Sequence, residues 1–279
     1  MSKQYRSREG NVTAVDTKTQ LTTLGSDTAP GALMVPKGMK YIVGVIASGI
    51  QNMAAATGFS AFLRLEGPGM VNNGQTLALC AGGNAVATGG NAAQYPVTIP
   101  VLFSVQEANE IQIFAEMAGT DVGDIGAVVT LVFSDSAPSG YKENKTLTVE
   151  GDITSAATRT ALLTQGSVSS PSLIVPSGMT VIDRIVAAVS GEGLANGHET
   201  YFIRLGGNSV QGGEQTICVG ASGTIAPQSG SDSAPQNVIA TVFEDLQIMV
   251  NAGDSISIWA EGTGQDTGTP HIVVTCMFA

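Results

Sequence analysis

The stretch Leu33-Met34-Val35-Pro36-Lys37-Gly38-Met39 returns 140 positions later as Leu173-Ile174-Val175-Pro176-Ser177-Gly178-Met179, with five of the seven residues unchanged. The same shift carries Phe62-Leu63-Arg64-Leu65 onto Phe202-Ile203-Arg204-Leu205, and Gln75-Thr76-Leu77 onto Gln215-Thr216-Ile217. Further along the shift becomes 145. Ala115-Glu116 answers to Ala260-Glu261, Gly119, Asp121 and Gly123 answer to Gly264, Asp266 and Gly268, and the run Val128 to Phe133 answers to Val273 to Phe278. Five residues have entered between the two registers. A period of this length means two similar units in tandem, each with its own apolar pattern.

The chain of 279 residues is long enough for two domains that each bury a core without metal or disulfide staples. It is 43% hydrophobic but only 13% charged, and it holds 35 Gly. That balance is poor in the Lys and Glu that coat exposed helices and favours strands with many turns. Short runs of Val, Ile, Leu, Thr and Phe alternate with Gly, Pro, Asn and Asp clusters, the pattern of an all-β sandwich. We expect strands near 19–25, 31–36, 39–48, 59–66, 74–81, 97–105, 110–118 and 126–134. The second set falls near 159–166, 171–176, 179–190, 200–206, 214–220, a broken 237–250, 255–262 and 271–278. In Glu110-Ile111-Gln112-Ile113-Phe114-Ala115-Glu116 the period is two, as a strand requires. Pro36 and Pro176, each followed two positions on by Gly, end one strand and turn into the next.

The expected organisation is a polar, basic arm over 1–16 (Lys3, Arg6, Arg8), a first sandwich over 17–135, a linker over 136–158 and a second sandwich over 159–279. Within the linker, Thr146 to Val149 reads as a short strand that packs on either domain, or that opens the second domain as Gly10 to Val15 opens the first. The Gly-, Ala- and Asn-rich loops 82–96 and 222–236 carry the length difference.

A net charge of −11 argues against a surface that coats nucleic acid. The three cysteines, Cys80, Cys218 and Cys276, do not share repeat positions, so they read as small buried hydrophobes rather than a disulfide framework. No apolar segment follows Met1-Ser2-Lys3-Gln4-Tyr5-Arg6, and no apolar run reaches the ~18 residues of a membrane helix. Cytoplasmic synthesis is therefore the expectation. His198 and His271 belong to no metal-binding spacing, and no nucleophile elbow, P-loop or dinucleotide fingerprint is present.

Four charged residues interrupt apolar strands at repeat positions: Arg64 with Arg204, and Glu116 with Glu261. Two readings fit. The carboxylates are a general acid and base of the kind used on glycosidic bonds, or each sandwich holds one Arg–Glu pair that neutralises charge within a half-buried strand. Duplication favours the pair, because a scaffold contact is inherited with the fold whereas an active site rarely needs two copies. Asp121, Asp124 and Asp266 stand in Gly-rich turns that read either as Ca²⁺ cradles or as hairpin loops using Asp and Gly for their dihedrals.

Two eight-stranded units in tandem, carried by the repeats Leu33 to Met39 with Leu173 to Met179 and Phe62 to Leu65 with Phe202 to Leu205, resemble the double jelly-roll major capsid proteins of tailless, icosahedral, membrane-containing double-stranded DNA viruses. The resemblance is one of architecture over residues 17 to 279 and transfers no functional residue. It implies two jelly rolls side by side and three copies in a pseudo-hexagonal trimer. It also implies a non-enzymatic structural role in a virion after synthesis in the host cytoplasm, without a cofactor unless Ca²⁺ sits in the acidic turns. Its partners are neighbouring trimers and minor capsid or membrane proteins, with no sequence-specific nucleic-acid binding. The alternative is a glycan-acting amidase or glycosidase, with Glu116, Glu261 or loop carboxylates as candidates, or a carbohydrate-binding protein on the same doubled sandwich.

Overall fold

The computed structural model describes residues 1–12, 17–24, 31–52, 59–72, 74–82, 96–119, 124–153, 158–164, 170–189, 198–223, 238–264 and 270–279. No helix occurs among them. In the first half the strands are β1 (Lys3–Val12), β2 (Thr19–Gln20), β3 (Leu33–Met34), β4 (Tyr41–Asn52), β5 (Phe59–Glu66), β6 (Gln75–Gly82), β7 (Val97–Ser104), β8 (Glu110–Gly119) and β9 (Asp124–Ser134). In the second they are β10 (Lys145–Asp152), β11 (Thr160–Ala161), β12 (Leu163–Thr164), β13 (Ser172–Ile174), β14 (Val181–Val189), β15 (His198–Gly206), β16 (Gln215–Gly223), β17 (Val238–Ile239), β18 (Thr241–Phe243), β19 (Ile248–Met249), β20 (Ser255–Gly264) and β21 (His271–Phe278).

Each half is a pair of antiparallel sheets with the same connectivity. The first has β1-β9-β4-β7 facing β2-β8-β5-β6, with β3 also on β8. The second has β10-β21-β14-β18 facing β11-β20-β15-β16, with β13 also on β20. Apart from the β5–β6 and β15–β16 hairpins, the chain crosses from one sheet to the other and returns beside earlier strands, which is the jelly-roll winding. The molecule is a double jelly roll produced by duplication. Even the irregularities repeat: a bulge follows Ile42 in β4 and Ile182 in β14, and another interrupts the β5–β6 and β15–β16 ladders at equivalent residues. The turns opening β4 and β14 also match. Met39 N–H donates to the Pro36 carbonyl and Met179 N–H to that of Pro176, both at 3.1 Å, while Gly38 and Gly178 share a φ of 81°. Only glycine takes that dihedral without strain.

Alternation dictates which residues enter each core. In β9, Ala127, Val129, Leu131 and Phe133 point inward; in β21, Ile272, Val274, Cys276 and Phe278 do the same. The outward residues differ. Val273 and Met277 of β21, with Val186 and Ala188 of β14, belong to the apolar cluster of the first half. A strand covered on both faces loses its polar side, and all eight residues of β21 are buried. The first jelly roll therefore sits, by its β5–β6 edge, on the outer face of the second one's β10-β21-β14 sheet. The exchange continues at β17, which leaves its own half to pair with Cys80 and Ala81 of β6.

Three expectations change. Residues 3–12 of the expected 1–16 arm form β1, paired along their whole length with β9. Its Lys3, Arg6 and Arg8 mark an edge strand, where charges deter stray pairing, and Arg8 holds the carbonyls of Gly31 and Ala32 at 2.8 and 3.1 Å. Within the expected 136–158 linker the short strand read at Thr146 to Val149 is β10, and of its two readings the second holds, since it opens the second jelly roll as β1 opens the first. Among the described residues the runs near 19–25 and 31–36 serve one strand position, both segments pairing with β8, and the expected broken strand over 237–250 divides into β17, β18 and β19. Loops 82–96 and 222–236 lie almost wholly outside the described residues.

Candidate functional site

Arg64 and Glu116 meet on the outer face of the first jelly roll, Arg64 Nε donating to Glu116 Oε2 at 2.7 Å. In the second, Arg204 Nε donates to Glu261 Oε2 at 2.8 Å. Pairing of adjacent strands brings them together: Phe62 of β5 stands opposite Glu116 of β8, and Arg64, two residues on, shares its face. Each guanidinium also lies over the aromatic ring two positions back, 5.2 Å from Phe62 and 5.0 Å from Phe202. The second copy is extended. Arg204 Nη1 donates to Glu214 at 2.9 Å, Arg159 reaches the same carboxylate through two hydrogen bonds of 2.9 and 3.1 Å, and Arg159 covers Trp259 at 5.3 Å. Bonds to Glu261 and then Glu214 raise the Arg204 pKa. In the first copy Lys18 takes the Arg159 position, bonding Glu66 at 2.6 Å over Phe114.

Chemically these are neutralised strips. Glu116, Glu261 and Glu214 are each bonded to a guanidinium and Glu66 to an ammonium, and the Arg–Glu pair at the centre of the arrangement occurs once in each jelly roll. Asp121 and Asp266 lie outside the described residues. Asp124 opens β9, its Cα opposite that of Asn52. Among the described residues no group of three or more His, Cys, Asp or Glu could hold a metal ion.

A second feature escaped sequence reasoning. The two halves are joined by hydroxyls: Thr275 Oγ1 accepts the N–H of Ala78 at 2.8 Å and bonds Thr148 Oγ1 at 2.7 Å, while Thr148 donates to Thr76 Oγ1 at 2.9 Å. Thr146 Oγ1 accepts the Thr76 N–H at 3.0 Å. The Thr76 and Ala78 N–H groups of the β6 edge are thus satisfied by threonine side chains of another sheet, while Cys80 and Ala81 further along the edge pair with β17. The first jelly roll repeats the acceptor side, with Ser7 and Thr130 hydroxyls 2.8 Å apart on the outer face of β1-β9. Beside them lies a cavity of about 480 Å³ lined by Glu9, Gly10, Asn11, Thr22, Ser48 and residues 126 to 128. Thr130 and Thr275, matched at the 145 shift and placed outward in an apolar strand, were the available signal.

Of the cysteines, Cys80 and Cys276 are buried, and burial pushes both thiols up to about 12. Cys218 is exposed, against expectation. It stands on β16, an edge strand, at the place where Ala78 of β6 is covered by the other half. His271 is buried at the start of β21, 3.7 Å from Asp152, and desolvation lowers its pKa to about 4.

No protein family and no curated protein matches the chain. Among solved structures it is similar to PNGase F, a glycosylasparaginase from Flavobacterium meningosepticum, at 8% identity over 96% of each chain with a TM-score of 0.37. It is also similar to the tandem CBM22-1-CBM22-2 domain of Xyn10C from Paenibacillus barcinonensis, at 11% identity over 99% of this chain and 93% of that one, with a TM-score of 0.23. Likenesses this distant carry no statement about activity.

Proposed function

We propose that this chain is a structural protein, the major capsid protein of an icosahedral virion, and that its copies join as pseudo-hexameric homotrimers. The observation that supports this is the lateral packing of two equivalent jelly rolls, in which an edge of the first occupies an outer sheet face of the second. Three copies then present six similar sandwiches around one axis, a unit that tiles a shell from one kind of chain, and closed rings of this kind are a common form of homo-oligomer. The duplicated Arg64–Glu116 and Arg204–Glu261 pairs fit a scaffold. In such a shell the further partners are neighbouring trimers and minor capsid or membrane proteins.

A second reading, a glycan-directed amidase, glycosidase or binding protein, draws on the cavity beside Glu9, whose carboxylate, amide and hydroxyl groups suit a sugar. The readings separate in two measurements on the purified full chain. Light scattering with negative-stain microscopy shows trimers or larger shells under the capsid reading. A monomer at every concentration, together with release or binding of glycans from a glycopeptide panel, overturns it in favour of the second.

A further inference from the structure

Resting on that reading, we infer that the β16 edge of the second jelly roll docks on the outer β1-β9-β4 face of the next copy, with the Ser7–Thr130 hydroxyl pair as its acceptor. The template is inside the chain. The β6 edge of the first jelly roll meets the outer β10-β21-β14 face of the second, and duplication gives the hydroxyl pair and the edge strand of that contact counterparts at Ser7–Thr130 and at Thr216–Cys218.

On the acceptor side, Thr148 and Thr275 stand opposite each other in the β10–β21 ladder, and Ser7 and Thr130 stand opposite each other in the β1–β9 ladder. The hydroxyl–hydroxyl distances, 2.7 and 2.8 Å, agree. Glu150, which accepts from Ser60 at 3.4 Å across the internal contact, corresponds to Glu9, since they face Val273 and Val128 respectively. Val273 is 0% exposed and Val128 is 41% exposed, so the same position is covered in one half and open in the other. Ile46 and Ser48 likewise replace the fully covered Val186 and Ala188. The cavity lined by Glu9, Ser48 and Val128 lies on the stretch of face that, in the second half, the β5–β6 edge covers.

On the donor side, Thr76 and Ala78 correspond to Thr216 and Cys218, opposite Arg64 and Phe62 in one ladder and Arg204 and Phe202 in the other. Ala78 is buried by its contact, while Thr216 and Cys218 are exposed on the terminal strand of their sheet. An exposed edge is a row of unmet backbone donors. In the docked pair the Cys218 N–H donates to Thr130 Oγ1, the Ser7 hydroxyl donates to Thr216 Oγ1, and Thr200, the counterpart of Ser60, approaches Glu9. Tyr5 takes the place of Thr146 and covers the rim with its ring.

The position of Cys218 supplies the test. The full chain carrying Thr130→Cys is oxidised with copper(II)–phenanthroline, which takes two electrons from each thiol pair as both protons leave to solvent. Expected are covalent dimers and trimers on non-reducing gels, reversed by reductant, and none from Val71→Cys, an exposed position elsewhere. In the unmodified chain a maleimide should label Cys218 at least tenfold more slowly in assembled than in dissociated protein, while Cys80 and Cys276 stay unlabelled in both. Chains that associate by light scattering without the cross-link or the protection overturn this interface and leave the shell reading standing. Cross-linking in open filaments keeps the interface and overturns the closed trimer. A monomer at every concentration overturns both.

Discussion

Thr275→Val should loosen the junction between the halves while leaving side-chain shape almost unchanged. In the native chain Thr275 is fully buried, and its hydroxyl accepts the Ala78 N–H at 2.8 Å and bonds Thr148 at 2.7 Å. Valine fills the space but offers no acceptor. The Ala78 N–H belongs to a fully buried residue on a sheet edge, so water cannot replace the lost oxygen. A buried donor left unmet costs about 1–3 kcal/mol. Thr148 keeps its bond to Thr76 at 2.9 Å, which confines the loss to one donor. A net destabilisation of about 2 kcal/mol lowers Tm by roughly 4–8 °C for a chain of this size. The internal control is Thr130→Val at the matching site, whose hydroxyl partner Ser7 is only part-buried; solvent compensates there and the shift should stay under about 1 °C in dilute monomer. Scanning calorimetry of the two variants at a concentration where the chain is dissociated decides the matter. Equal shifts, or no shift for Thr275→Val, would show that the hydroxyls do not hold the halves together.

Arg64→Met leaves Glu116 without its guanidinium; because the Arg64 side chain is 22% exposed, the cost should be about 2 kcal/mol in urea unfolding, below the ~3–5 of a fully buried pair. Glu116→Gln in the same background should recover part of it. His271, held near 4 by burial, is neutral in the folded chain and takes up a proton more readily when unfolded. Stability should therefore be full above pH 6.5 and fall by about 3 kcal/mol as pH drops toward 4. Asp152, whose carboxyl burial holds above its ordinary range, works in the opposite sense, and an acid titration of His271→Asn should show a shallower slope than the parent. Gly67→Ala and Gly207→Ala should each destabilise by about 2 kcal/mol or more, since the backbone is at φ 109° and 131° and an added Cβ would stand 2.8 and 2.7 Å from a carbonyl oxygen; wild-type melting of either would refute the shared turn.

The sequence made the duplication and its register visible because apolar spacing and turn residues are local properties. The Arg–Glu pairs were legible for the same reason: a charge inside an apolar strand needs a partner, and the repeat named it. β1 was not, because an edge strand with one ladder partner can be as polar as a tail. Nor was the joint between the halves. Val273 stands where Val128 stands, with the same apolar character, and the placement of a neighbouring sandwich covers the first and leaves the second exposed. Cys218 was misjudged on that ground, its burial depending on what lies against an edge strand rather than on the strand's own pattern.

The pairing of β17 with β6 has a consequence for synthesis. The first jelly roll's sheet acquires Val238–Ile239, and its β5–β6 edge acquires Thr275, only when the last part of the chain has been made. At ~5–20 residues per second the ribosome takes roughly 7–30 s to pass from the end of β9 to Ala279. For that interval Phe62, Ala78 and the adjoining edge are uncovered in a polypeptide that has already begun to fold. The interval is long against strand pairing and short against protein turnover. It sets a window in which a nascent first half can capture the wrong sheet, and in which a chaperone that shields strand edges would most improve the yield.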